Sequence, residues 1–394
     1  MSRTIQGKSS LFRTDYHSAE LVDRVASPRP MSSDSDATMR DERKSTVRTL
    51  VLEEFGRMAL ADRPIPDVAN GDVLIRVAFT GICGSDIHGY TGHNGRRAVG
   101  QVMGHESSGT IEGFGPGDQP HGLTIGDAVT FNPVVLPVED RVEFADREQH
   151  SPRKSVIGVD PTRNASFADY IVVPAVNVLR LADGMPVEHG ALVEPTAVAL
   201  HAIRRAGVIG HERVLVIGGG PIGQSVVLVL RALGVPEVYV SEISPGRRSL
   251  IEGMGVPVID PSAGDLVEAL GRHGGPVDVT IDAVGSSRSL ADALACTVLG
   301  GTVCLVGMGE PQVRLDAFQI STAERTLVGS FTYSARDFAD AAELVADNPV
   351  TAASLISRVI EPESADEAFM NLANGDEIPG KVLVAFAQSA EYAK

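Results

Sequence analysis

Three short stretches carry residues of the kind that hold a metal ion or move a proton. Gly81-Ile-Cys-Gly-Ser-Asp-Ile-His88 brings a thiol (Cys83), a hydroxyl (Ser85), a carboxyl (Asp86) and an imidazole (His88) close together. Gly104-His-Glu-Ser-Ser-Gly109 adds His105 and Glu106, with His105 22 residues beyond Cys83, and Leu192-Val-Glu-Pro195 adds Glu194. A thiolate, an imidazole and one or two carboxylates suit Zn²⁺, and a catalytic zinc keeps one position open for water or substrate. Taken singly, each residue also has an ordinary structural reading. A lone buried cysteine packs as a small hydrophobe, and a lone histidine is commonly a satisfied core residue.

A fourth stretch, Gly218-Gly-Gly-Pro-Ile-Gly223, matches G-x-G-x-x-G. It follows the apolar run Arg213–Ile217 and opens a helical pattern over Gln224–Leu233, the context in which such a turn binds a dinucleotide. Gly218 permits the tight turn, Gly220 lets a pyrophosphate approach the backbone, and Gly223 lets helix pack on strand. The helix N-terminus offers free N–H groups to the phosphates, and Pro221 and Ile222 are expected to belong to the cofactor-binding turn. Glu242 ends the next strand, 19 residues after Gly223. A carboxylate there accepts hydrogen bonds from a ribose 2′-OH and repels a 2′-phosphate, so NAD is expected over NADP. Arg247 and Arg248 lie just beyond and keep a phosphate-binding alternative open.

These residues need two kinds of scaffold. From Thr46 to about residue 180 the chain reads as short β-type runs broken by Gly and Pro: Val47–Leu52, Asp72–Phe79, Gly109–Ile111, Ala128–Phe131 and Tyr170–Val173. That pattern predicts an antiparallel, barrel-like domain. After residue 196 strands and helices alternate as far as Thr302–Val306, which predicts a parallel, doubly wound sheet. The tail is mixed, with helices at Asp337–Asp347 and Ser364–Asn374 and strands at Ser357–Ile360 and Lys381–Phe386. It is expected to return to the first domain, giving a catalytic part over 46–197 and 336–394 and a nucleotide-binding part over 198–335.

Bulk properties narrow the function classes. A net charge of −17 over 394 residues argues against nucleic acid or an anionic membrane surface as partner. No apolar run reaches the ~18–20 residues of a membrane span. Three cysteines (Cys83, Cys296, Cys304) make no disulfide framework, and a cytoplasmic setting is expected. Residues 1–45 are polar and poor in aliphatics; they read as a disordered extension or as the product of an upstream start, with Met31 and Met39 also available.

Cys-Gly-Ser-Asp-x-His, Gly-His-Glu-x-x-Gly, Glu-Pro-x-x-Val-Ala and the glycine turn stand here in the order seen in zinc-containing medium-chain alcohol dehydrogenases. The sequence resembles most the sorbitol, butanediol and threonine dehydrogenase branch, from about Thr46 to Phe386 and including the ending Gly380-Lys-Val-Leu-Val384. The resemblance implies a GroES-like β-barrel catalytic domain beside a Rossmann sheet. It implies zinc on Cys83 and His105, with Glu106 as a ligand or exchanging with water and Glu194 beside the metal as the alternative carboxylate. Asp86 would orient a ligand or its backbone, and Ser85 and His88 would carry the alcohol proton outward. The implied reaction is hydride transfer between a small secondary alcohol or polyol and NAD.

Two departures stand out. Many relatives hold a second, structural zinc on four cysteines shortly after a Gly-Asp-x-Val stretch. Here Gly126-Asp-Ala-Val129 is followed by a segment, Leu136–Val156, without cysteine, so one catalytic zinc and no structural zinc are expected. Relatives also tend to have glycine near Ser166. The substrate pocket is not encoded in the motifs: a sugar or amino-alcohol dehydrogenase is the nearest rival, and a zinc-free enone or quinone reductase the next. A non-catalytic dinucleotide-binding protein would show a broken motif, and none is broken. His93, Asn94, Arg96 and Arg97 read as a solvated loop, with substrate contact the sharper alternative. A homodimer or homotetramer is expected, built on a sheet edge left by the strand after Gly300-Gly301 and the run Gln312–Leu315.

Overall fold

The computed structural model describes residues 46–387 apart from 94, 118, 119 and 377; the expectation for residues 1–45 lies outside the described residues. The chain opens with the hairpin β1 (Thr46–Glu54) and β2 (Arg57–Pro64). β3 (Asp72–Gly81) follows, then α1 (Gly84–Tyr90), β4 (Glu106–Phe114) and β5 (Ala128–Phe131). β6 (Val134–Val135) and β7 (Ser155–Val156) form a small ribbon, and β8 (Tyr170–Pro174) and β9 (Val178–Arg180) complete this part. The sequence did not signal β2, because its apolar residues are interrupted by Arg57, Asp62 and Arg63 and it buries only Met58 fully.

A 3₁₀ turn over Val187–Leu192 leads into α2 (Val193–Arg205), buried along most of its length. The alternating half then runs β10 (Arg213–Ile217), α3 (Pro221–Ala232), β11 (Glu237–Ser241), α4 (Pro245–Gly253), β12 (Val258–Ile259) and α5 (Leu266–Gly271). It continues with β13 (Val277–Asp282), α6 (Ser287–Cys296), β14 (Thr297–Leu305), α7 (Phe318–Ser321) and β15 (Thr326–Gly329). Six parallel strands lie in the order β12-β11-β10-β13-β14-β15. This is the doubly wound arrangement in which ligands bind at the strand C-termini, beside the point where the order reverses. β15 was not foreseen, and it covers β14. The expected free edge is therefore corrected: β15 is the outer strand, and Gln312–Leu315 forms no strand, with the Arg314 N–H bonded instead to Ser287 Oγ at 3.0 Å.

The tail comprises α8 (Ala335–Asp347), α9 (Pro349–Leu355), β16 (Ile356–Ile360), α10 (Ala365–Ala373) and β17 (Lys381–Ala385). β17 pairs antiparallel with β3, so the C-terminal strands extend the barrel sheet, ordered β16-β17-β3-β4-β5-β9 with β8 also on β3. β3 is central and carries buried residues on both faces, as a sheet enclosed on two sides requires. Phe131, Phe167, Ile171 and Phe369 fill the barrel core, and Val214, Val216, Val226 and Leu228 lie in the core between sheet and helices. Each such side chain contributes roughly 1.5–3 kcal/mol by leaving water.

Ser166 acquires a physical account. Its Oγ accepts a hydrogen bond from Ser107 Oγ at 2.5 Å, its carbonyl accepts from Thr80 Oγ1 at 2.8 Å, and all three residues are buried. The extra hydroxyl is satisfied and ties the strand behind Glu106 to its neighbours.

Candidate metal and cofactor site

Cys83 stands at the start of α1, and His105 and Glu106 stand at the start of β4. The antiparallel pairing of β3 with β4, which sets Gly81 opposite Glu106, brings the two segments together. One ligand atom from each of Cys83, His105 and Glu106 falls within 4.8 Å of the others, with His105 and Glu106 buried. Gly81 makes the room: a Cβ there would collide with the Glu106 carboxylate.

Around this trio lies a set of fixed charges. Asp86 Oδ2 accepts the Cys83 N–H at 3.2 Å, and Asp86 Oδ1 lies 3.6 Å from His105 Nδ1. Lys381 Nζ lies 2.6 Å from Glu106 Oε2, and Tyr333 Oη donates to Glu194 Oε1 at 2.8 Å. Glu194, from the first turn of α2, stands outside the trio, and Tyr333 holds it there. Burial pushes the Glu194 carboxyl up to about 7; His105 opposes the shift and Glu106 adds to it. Burial works against a charged His105, but Asp86 and Cys83 outweigh it and raise its pKa to about 10.

The residues fit a divalent cation. Buried His105 Nδ1 has no hydrogen-bond partner, and Nε2 lies 3.5 Å from Ser85 Oγ. Sulfur, nitrogen and carboxylate oxygen converge in a buried site where, among the described residues, Asp86, Glu106 and Glu194 lie with the His105 ring and the cations Lys381 and Arg97. That donor set is the one zinc takes. Ser85 is half-buried beside His105, while His88, one turn further along α1, is exposed.

The glycine turn joins β10 to α3. Gly218 has φ +95°, a conformation that favours glycine, and a Cβ on Gly223 would collide with the Gly218 carbonyl. A Cβ on Gly220 would meet only Arg247 Nη1, at 3.8 Å, so the backbone there is open to a ligand. Pro221 is the first residue of α3, and Ile222 follows it. Glu242 is buried at the end of β11; its Oε2 accepts the Gly219 N–H at 2.6 Å and its Oε1 the Ser244 N–H at 2.7 Å. Arg248 is committed to Asp260 at 3.0 Å, whereas Arg247 Nε is buried without a partner beside the turn. A cradle that any side chain would fill, with an uncommitted cation next to it, fits a dinucleotide.

Sequence reasoning missed Lys381 and Tyr333 as site residues. Lys381 stood in the quoted ending motif but lies 275 residues from Glu106, and nothing local marked Tyr333. Arg97 is neither solvated nor in a position read from its loop: its side chain is 1% exposed and paired with Asp86. His93 and Arg96 remain in the loop, and Asn94 lies outside the described residues.

Barrel, nucleotide-type sheet and donor cluster together define the class of zinc-binding dehydrogenases. The family profile described as "Zinc-binding dehydrogenase" matches residues 221–347, and "Alcohol dehydrogenase GroES-like domain" matches 69–183. The chain is 32% identical over 316 residues to L-galactonate-5-dehydrogenase of Escherichia coli K12, covering 79% of this chain and 91% of that protein. It is 32% identical over 352 residues to D-xylulose reductase A of Aspergillus oryzae, covering 86% and 96%. Among solved structures it is similar to a zinc-binding dehydrogenase from Sinorhizobium meliloti 1021 bound to NADP (TM-score 0.78, 30% identity, 87% and 100% coverage). It is also similar to 2R,3R-butanediol dehydrogenase from Bacillus subtilis (TM-score 0.77, 28% identity, 86% and 99% coverage). The chain belongs to the zinc-containing medium-chain alcohol dehydrogenase family, enzymes of alcohol and polyol oxidoreduction.

Proposed function

We propose that this protein interconverts a secondary hydroxyl of a small polyol and the corresponding ketone, using NAD and one zinc per chain. The observation that carries the reading is the buried convergence of Cys83, His105 and Glu106 within 4.8 Å. In this reading those three residues hold the metal, and Glu194 stands beside it as the alternative carboxylate. Bound zinc supplies a Lewis acid that polarises the substrate oxygen, and bound nicotinamide accepts or returns hydride.

The chain's own residues do the rest. Asp86 faces the His105 ring and the Cys83 backbone and fixes both directions. Lys381 balances Glu106, and Tyr333 restrains Glu194, so two mutually repelling carboxylates are held in a water-poor site. Ser85, half-buried against His105, would accept the substrate proton while giving its own hydroxyl proton onward, and exposed His88 would deliver a proton to solvent, the two linked by way of the nicotinamide ribose.

Gly218, Gly220, Pro221, Ile222 and Gly223 form the phosphate cradle, with Glu242 and Arg247 on the adenosine side. NAD is preferred because a buried Glu242 carboxylate repels a 2′-phosphate. The single zinc is read from the cysteine-free segment Leu136–Val156, where Arg153 pairs with Asp140 and Ser151 Oγ donates to Asp140 Oδ2 at 2.6 Å. Pairing of β17 with β3 supports a discontinuous catalytic part, 46–197 with 336–394, around a nucleotide-binding part, 198–335. The assembly is read as a homodimer or homotetramer and its setting as cytoplasmic, in keeping with three unpaired cysteines. No helix among the described residues is long and apolar enough to cross a membrane.

The test is turnover with a panel of vicinal diols, sugar alcohols and amino alcohols, each with NAD and NADP. NAD-dependent oxidation of a polyol supports the reading. Reduction of enones without polyol turnover contradicts it.

A further inference from the structure

We infer that Arg97 is a positioning residue of the metal site, locking Asp86 and, through it, both Cys83 and His105. The inference rests on the reading that Cys83, His105 and Glu106 hold a metal.

Asp86 is wholly buried and serves three groups at once. Its Oδ2 accepts the Cys83 N–H at 3.2 Å, while its Oδ1 lies 3.6 Å from His105 Nδ1 and 3.3 Å from Arg97 Nη2. A carboxylate sealed from water needs a countercharge to stay ionised and hydrogen-bond donors to keep its direction. The Cys83 backbone gives direction to one oxygen. Arg97 gives charge and direction to the other, the same oxygen that faces the His105 ring. Among the described contacts the guanidinium has no other acidic partner, and its Nε is buried and unbonded. A planar guanidinium fixes a carboxylate in a way that a flexible ammonium does not.

Helix α1 is shaped for this arginine. Asp86 and Gly89 are three residues apart, hence on one face of the helix. The Arg97 stem crosses at Gly89: a Cβ there would collide with Arg97 Cγ and approach Met103 Sδ to 3.2 Å. The helix that begins at Cys83 thus has a notch beside Asp86, filled by a buried cation from the loop before β4. Outer partners of metal ligands set ligand orientation, and their loss typically weakens metal binding ~10–100-fold.

The experiment measures zinc affinity by chelator competition, and the absorption bands of the cobalt-substituted protein, for wild type, Arg97→Gln, Arg97→Lys and Gly89→Ala. NADH fluorescence titration in each variant reports whether the nucleotide-binding half is intact. Zinc affinity should fall ~10–100-fold in Arg97→Gln with shifted cobalt bands and unchanged NADH binding, and Arg97→Lys should recover part of it. Gly89→Ala, which keeps the charge but displaces the stem, should fall in the same direction, and it decides the matter should Arg97→Gln not fold. A purely structural arginine would lower thermal stability while leaving zinc affinity and cobalt bands unchanged. Wild type that binds metal, with Arg97→Gln or a folded Gly89→Ala within about twofold of it, overturns this inference alone. Wild type that takes up no metal overturns the underlying reading and the inference with it.

Discussion

The ammonium of Lys381 lies 2.6 Å from Glu106 Oε2 and 2.7 Å from Glu106 Oε1, with both side chains closed to water. The pair joins β17, near the end of the chain, to β4 across the shared neighbour β3. Burial disfavours the Lys381 ammonium, but Glu106, followed by Cys83, more than compensates, and its pKa is raised. The C-terminal strand therefore reaches the donor cluster: it delivers the charge that offsets Glu106 where it is proposed to hold a metal.

Lys381→Met should leave Glu106 as an uncompensated buried charge. Breaking a buried pair in this way costs about 3–5 kcal/mol. A urea-unfolding series should register that loss, with Lys381→Arg falling much less. A loss below about 1 kcal/mol would mean that the pair contributes little.

Tyr333→Phe removes only the hydroxyl that donates to Glu194 at 2.8 Å. Stability should drop by about 1–2 kcal/mol, since Glu194 loses a charge-assisted bond. Metal content should stay at the wild-type level, while kcat falls ~10-fold because the carboxylate beside the metal is no longer held. Unchanged kcat would remove Tyr333 from the account.

Stability should depend on pH through Asp337, which bonds His201 Nδ1 at 2.8 Å and pairs with Arg204 at 2.5 Å. Burial alone would raise its pKa, but the bond to His201, the Ser334 backbone and Arg204 together hold it well below the ordinary carboxylate range. A depressed folded-state pKa contributes stability above the unfolded value of ~3.9, lost as pH falls toward the folded value. Wild type should therefore begin to lose its advantage over Asp337→Asn below about pH 5 and go on losing it through pH 3 toward the lower folded-state value. A gap independent of pH throughout would contradict the assignment.

Glu242→Ser should lower kcat/KM for NAD by ~10-fold and raise it for NADP, because the carboxylate that repels a 2′-phosphate is gone. Arg247, uncommitted beside Gly220, supplies the new partner, so adding Arg247→Ala should cancel the NADP gain. Coenzyme preference that does not move in Glu242→Ser would place the discrimination elsewhere.

The parts of the site legible in the sequence are those written locally. Cys83 to His88, His105 with Glu106, and the glycine turn each fit within one short segment, so their residue types could be read together. The partners that stabilise them come from afar: Lys381 is 275 residues from Glu106 and Tyr333 is 139 from Glu194, and only the folded sheets bring them in. Arg97 illustrates a different limit. Its neighbours are polar and its loop reads as solvated, yet Gly89 provides a notch that draws it inside. In the fold, strands with long apolar runs such as β3 and β10 were visible. β2 was hidden by its charged residues, and β15 by its four-residue length.

The most direct test of the central claim is zinc per chain, measured on purified wild type and on Cys83→Ser. About one zinc per wild-type chain, lost in Cys83→Ser, is the result predicted. Two zincs per chain would contradict the single-site reading. No zinc in an active wild-type enzyme, or zinc retained in full by Cys83→Ser, would contradict the metal assignment itself.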